Sequence, residues 1–162
     1  SEAILDAARR VDQCLKGAAM AMGCRVEIDT VPGNLPLFND NNLCEIFRQN
    51  AATLFDADDY RDYPHGGGST DAGDLSQLMP VLHPVMAGAT GDAHSVDWHI
   101  SDHDNGYVAP AKTMAMMAVD LLADDAAAAQ NVLDEYQPHL SRGEYLEQQE
   151  GIFRTEVFEG SV

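Results

Sequence analysis

The chain has 162 residues, with 45% hydrophobic and 22% charged residues. That suits one ordinary domain or parts of two, and it excludes a chain disordered throughout. Nine Lys+Arg against 27 Asp+Glu give a formal net charge of -18. Such a surface repels phosphate backbones and anionic lipid, so neither nucleic acid nor a membrane surface is an expected partner.

Residues 2–22 read as a helix. Ile4, Ala8, Val11, Leu15, Ala18 and Met22 recur at spacings of three and four, and Arg9, Asp12 and Lys16 lie off that stripe. Gly23 suits the position after the helix. Residues 24–31 then alternate, with Cys24, Val26 and Ile28 on one face and Arg25, Glu27 and Asp29 on the other, as in a half-exposed strand. The run Val31-Pro32-Gly33-Asn34-Leu35-Pro36 marks a boundary.

A second amphipathic helix is expected over 39–55. Asn39 or Asp40 caps it, and Leu43, Phe47, Ala51 and Leu54 form its buried stripe. A polar and then glycine-rich segment follows at 56–68, with a short helix over 69–78 that Gly73 weakens. Residues 81–87 read as a short apolar strand, an edge or bulged one because of Pro84. A loop rich in Asp and His covers 88–106. Another helix spans about 107–123, with Pro110 in its first turn and Met114, Met117, Ala118, Leu121 and Leu122 as its stripe. The tail reads as a helix over 126–136, a break at Pro138, and a short helix that Ser141 and Glu144 open with capping-box spacing. The fold class expected is α/β, in mixed α+β layers.

No apolar run approaches the roughly 20 residues a membrane span needs. No signal peptide is visible at Ser1-Glu2-Ala3, and Cys14, Cys24 and Cys44 form no C-x-x-C pair. The compartment expected is the reducing cytoplasm. An initiator Met is absent from the sequence, so either it was removed or the chain is a piece of a longer one.

Two segments have the composition of a site. In Gly66-Gly67-Gly68-Ser69-Thr70-Asp71, three glycines precede a helix, so backbone N–H groups can approach an anionic ligand closely. The segment lacks G-K-[ST], so it is not a P-loop, and a flexible loop with an ordinary N-cap is the plainer reading. Asp92, His94, Asp97, His99, Asp102, His103 and Asp104 place seven oxygen or nitrogen donors within thirteen residues. Carboxylate and neutral imidazole suit Zn²⁺ and Mn²⁺, but the spacing matches no self-contained site, and a solvated acidic loop is the plainer reading. In Asp102-His103-Asp104-Asn105-Gly106 the Gly falls one position early for an EF-hand. No Glu lies between Glu45 and Glu135, so Asp71, Asp74 and the histidines are the local acid–base candidates. His83, beside Pro84, reads as structural, and the methionines at 114, 116 and 117 as helix packing.

Several of these pieces, in order, resemble the C-terminal portion of the dinuclear metallopeptidases. They are Gly67-Gly68-Ser69-Thr70-Asp71-Ala72-Gly73-Asp74-Leu75-Ser76, Met79-Pro80-Val81-Leu82-His83-Pro84, Gly91-Asp92-Ala93-His94-Ser95 and Pro110-Ala111-Lys112. That group holds aminoacylases, carboxypeptidases and amidohydrolases, and the aminobenzoyl-glutamate hydrolase type is the most similar branch. The likeness spreads over most of residues 1–125, and the tail adds little.

The resemblance implies a two-metal catalytic domain interrupted by a small α/β lid domain. Residues 1–31 would close the lid, and 32–162 would be the returning half of the catalytic domain. His94 matches the late metal-ligand histidine, although His99 and His103 crowd it. Gly67, Gly68, Ser69, Thr70 and Asp71 match the loop facing a small-molecule amide substrate. The other ligands, a bridging Asp and the general-base Glu would lie in an N-terminal half not present here, so this chain alone is expected to be inactive. Two ions, zinc or manganese, need about six protein ligands. A homo-oligomer is also implied. The alternatives are a non-catalytic truncated module, or an acidic module that binds a divalent cation such as Ca²⁺ through 91–104.

Overall fold

The computed structural model describes residues 2–56, 59–61 and 68–161. The described residues mix helix with short strands, 53% and 11% of them respectively, and both strand pairs are antiparallel. The mixed α and β character expected from the sequence is therefore present, but the sheets are two-stranded. Contacts divide the chain into two compact units, each assembled from separate stretches of sequence. One comprises Ser1–Leu37, Ser69–Leu78 and His139–Val162, and the other Phe38–Gly68 and Met79–Pro138. This grouping does not follow the 31/32 boundary. Among the described residues, no helix is long and apolar enough to cross a membrane.

In the first unit, helix α1 (Glu2–Met22) ends in a Schellman motif. Gly23 sits at φ 60°. Its N–H donates to Met20 O at 3.3 Å, and Cys24 N–H donates to Ala19 O at 3.0 Å. The chain then enters strand β1 (Arg25–Thr30), whose Ile28 is buried while Arg25, Glu27 and Asp29 are exposed, as the alternation requires. The partner of β1 is strand β4 (Arg154–Glu159), paired in the register Arg25↔Glu159 to Thr30↔Arg154. The sequence reading stopped at the helix before it, α5 (Arg142–Glu150), which does open with the expected capping box: Glu144 N–H donates to Ser141 Oγ at 3.2 Å, and Ser141 N–H to Glu144 Oε2 at 2.8 Å. Strand β4 escaped notice because its apolar residues, Val157 and Phe158, are adjacent and break the period of two.

The face that α1 turns inward differs from expectation. Ile4, Val11, Leu15 and Met22 are 65%, 57%, 42% and 78% exposed, whereas Asp12 and Ala19 are buried. Charge pairing to β4 explains the choice. Arg154 binds the Asp12 carboxylate through Nη2 and donates from Nε to Thr30 Oγ1 at 3.2 Å, and Lys16 Nζ lies 2.5 Å from Glu156 Oε1. Small side chains complete the contact, since a Cβ on Gly160 would overlap the Ala19 carbonyl. The Lys16 hydrogen bond is the main cause that holds the Glu156 carboxyl below the usual glutamate range, with the Lys16 and Arg154 charges adding to it against a smaller opposing effect of burial. A depressed carboxylate stabilises the fold above its unfolded pKa. This contribution is lost as pH falls through the lower, folded value.

Helix α3 (Asp71–Ser76) joins the rest of this unit through buried Gly73. A Cβ there would overlap the Leu35 carbonyl oxygen and stand 3.2 Å from Leu37 N. Gly73 thus permits close packing, where the sequence suggested only a weakened helix. Asp74 accepts from Asn34 Nδ2 at 2.9 Å and from Leu35 N–H at 3.1 Å. Gln77 Nε2 donates to Pro36 O at 2.8 Å, and Leu140 N–H donates to Gln77 O at 3.1 Å. The Tyr145 phenol is raised by burial first, then by the Asp74 charge and a hydrogen bond to it.

In the second unit, helix α2 (Asn41–Ala51) is capped by Asp40, whose Oδ1 accepts from Leu43 N–H at 3.0 Å. Phe47 and Ala51 are buried as expected, and Leu43 and Leu54 half-buried. Strands β2 (Ala89–Thr90) and β3 (His99–Ile100) form a minimal hairpin, a π-helical turn covers Asp104–Val108, and helix α4 spans Ala109–Glu135. The α4 backbone leaves helical geometry at Ala123, with Asp124, Asp125 and Ala126 left-handed, so it is two helices, as the sequence suggested. Helix α2 binds α4 on both sides of that break. Asn50 Nδ2 donates to Asp120 Oδ2 at 2.6 Å, and Asn42 Nδ2 to Glu135 Oε2 at 2.9 Å.

Two further expectations fail here. Met114 and Leu122 are 66% and 72% exposed, and Ala118 is exposed as well; of the stripe expected on α4, only Met117 and Leu121 are half-buried. Residues 81–87 form no strand. Pro80 and Pro84 bring no N–H, and the chain between them bonds instead to the cap of α2: Asp40 N–H donates to Val81 O and His83 N–H to Asn39 Oδ1, both at 2.8 Å.

Candidate functional site

Gly66 and Gly67 lie outside the described residues. Gly68 is exposed, and a Cβ on it would meet nothing within 4 Å. Ser69 is exposed too. Thr70 is extended at the N-cap of α3 but does not cap it; its Oγ1 donates to Asp71 Oδ1 at 3.0 Å. The same carboxylate oxygen accepts from Ala72 N–H at 3.0 Å. Asp71 is exposed, whereas Asp74 is committed to the packing of α3. Of the two aspartates offered as acid–base candidates, Asp71 alone faces solvent.

The hairpin loop of the second unit carries the histidines. Gly91, at φ 92°, closes the loop where a side chain would press on the Asp97 carbonyl. Turn bonds run from Ser95 N–H to Asp92 O at 3.0 Å and from Trp98 N–H to Ser95 O at 3.3 Å. Between them, His94 has φ 64°. For a residue with a Cβ this left-handed geometry costs on the order of 1–2 kcal/mol. Its imidazole is exposed and makes no hydrogen bond among the described residues. The neighbouring histidines differ. His99 Nδ1 lies 2.8 Å from Asp97 O, and the His103 ring sits 5.7 Å from that of Tyr107. His83, expected as a structural histidine, is exposed.

Asp102 is spent on the chain itself. Its Oδ1 accepts from Asp104 N–H and Asn105 N–H, both at 3.1 Å, and its Oδ2 from Asn105 Nδ2 at 2.8 Å. The backbone N–H of Asn105 is the largest cause of a lowered Asp102 pKa, followed by the Asn105 side chain. The sequence signal for this turn is an Asp two and three residues ahead of the groups it binds. Among the described residues, no three His, Cys, Asp or Glu side chains converge as a metal site would require. A shallow depression lined by Asn50, Met116, Val119 and Asp120 has its polar groups paired to each other.

No family model matches the chain, and neither a curated protein nor a solved structure matches it.

Proposed function

We propose that the chain is the closing part of a metal-dependent amidohydrolase that cleaves an amide bond to an amino acid, of the aminobenzoyl-glutamate or acyl-amino-acid type. Residues 1–31 would belong to a lid and 32–162 to the catalytic domain. His94 supplies one metal-ligand imidazole, and Gly67, Gly68, Ser69, Thr70 and Asp71 supply a wall facing the substrate. The remaining ligands and the general base belong to the missing half, in keeping with the interval free of Glu between Glu45 and Glu135. The chain alone is inactive, and the whole enzyme works in the cytoplasm.

The observation that carries this reading is the state of His94. Its imidazole is open to solvent on a backbone geometry that glycine would adopt at lower cost, while His99 and His103 have partners. Exposed Asp71 on the glycine-led segment is compatible with a substrate wall. The outward stripe of α1, with Val11 and Leu15, supports association with another copy or with the missing half.

The test is His94→Ala in the complete enzyme, with metal content measured after dialysis. Loss of one tightly held ion, with activity falling by at least about 100-fold, is the expected result. Full metal stoichiometry in the variant removes the assignment.

A further inference from the structure

Asn105-Gly106 is the one Asn-Gly pair in the sequence. Without a side chain on the second residue, its backbone nitrogen has the least hindered approach to the preceding carboxamide carbon. That nitrogen can bond to Cγ, expel ammonia and close a cyclic imide. Water then opens either C–N bond of the ring, leaving aspartate or isoaspartate at position 105. A Cβ on Gly106 would stand 2.5 Å from Ile100 Cγ2, so a bulkier residue there would require the Ile100 side chain to shift.

Both reacting groups are held by one residue. The Asn105 carboxamide donates from Nδ2 to Asp102 Oδ2 at 2.8 Å, and Gly106 N–H donates to Asp102 O at 2.8 Å. Ring closure requires the carboxamide to swing away from the carboxylate and the Gly106 nitrogen to give up its proton, so both bonds must break first. The carbonyl of Gly88 anchors Asp102 in turn, accepting from Ser101 N–H at 2.9 Å and Asp102 N–H at 3.0 Å. A carboxylate at position 105 would then face the Asp102 carboxylate across a gap now bridged by a hydrogen bond, and the π-helical turn could not re-form unchanged.

We propose that Asn105 is the spontaneous deamidation site of this protein and that Asp102 gates it, so that the site is protected while the 102–106 turn is intact and reacts when the turn opens. This inference is independent of the proposed enzymatic role.

The test follows conversion at Asn105 by peptide mapping and isoaspartate-specific methylation, in mildly alkaline buffer at matched pH. Three samples are compared: the native chain, the same chain unfolded in urea, and native Asp102→Ala. The unfolded chain should convert faster than the native one, and first at Asn105. Asp102→Ala removes the carboxylate bonds and keeps the backbone bond from Gly106 N–H, and losing the carboxylate's hold should accelerate the native variant roughly tenfold. Equal rates in the native and unfolded wild-type chains would overturn the proposal, as would earlier conversion of another asparagine in the unfolded chain. A folded Asp102→Ala with an unchanged rate would also overturn it. If Asp102→Ala does not fold, the wild-type comparison decides.

Discussion

Replacing Arg154 by alanine is expected to lower the stability of the first unit by about 2 kcal/mol, between the values for surface and buried ion pairs. The intermediate figure reflects geometry. The Asp12 side chain is 13% exposed and that of Arg154 is 44% exposed, so removing the guanidinium strands a mostly buried carboxylate while water replaces part of the loss. The change also removes the bond to Thr30 and, among the described residues, leaves Lys16–Glu156 as the charge pair between α1 and β4. Urea unfolding followed by hydrogen exchange at α1 and β4 amides measures it. Combining Arg154→Met with Asp12→Leu should recover most of the loss, since a carboxylate is no longer buried alone. A loss below about 0.5 kcal/mol for Arg154→Ala, the size of an exposed pair, would mean that α1 is not seated by this contact.

Gly73→Ala is expected to destabilise the same unit by about 2–3 kcal/mol, the cost of overpacking against groups that cannot yield. Helix propensity argues for the opposite sign, because alanine gains about 1 kcal/mol over glycine inside a helix. The clash prevails because the overlapped atom is the Leu35 backbone carbonyl, itself fixed by the Asp74 and Gln77 bonds on either side. Gly17 in α1 is the control. A Cβ there meets nothing within 4 Å, so Gly17→Ala should stabilise by up to about 1 kcal/mol. Equal effects at the two positions would show that α3 does not pack on the 35–37 segment.

These two cases mark where sequence reasoning succeeded and where it stopped. Local chemistry was legible. Gly23 ends α1, Asp40 caps α2, Ser141 and Glu144 box the start of α5, and the long apolar stretch after Tyr107 breaks near residue 123. Each is decided by neighbours within a few residues. Long-range choices were not legible. The period of α1 identifies a helix with two unlike faces, but the face turned inward depends on Arg154 and Glu156, more than a hundred residues away. The pairing of β1 with β4 is likewise set by tertiary context. Residues 81–87 have the apolar composition of an edge strand, but their backbone groups bond to the cap of α2 and join no ladder.

The candidate site divides in the same way. Sequence named His94, His99 and His103 as rivals, and residue types alone could not rank them. Backbone geometry and partners separate them: His94 alone of the three combines a left-handed backbone with an imidazole that makes no hydrogen bond, ion pair or ring contact among the described residues. Gly67 lies outside the described residues; Gly68, Ser69 and Asp71 are exposed and Thr70 is half-buried.

The most direct measurement is equilibrium dialysis of the isolated chain against Zn²⁺ and Mn²⁺ at moderate ionic strength, where diffuse attraction to the acidic surface is screened. The expected result is no pair of tightly held ions, and weak uptake that falls further in His94→Ala. Two ions bound tightly and stoichiometrically by this chain alone would contradict the reading that its metal centre is completed by another half.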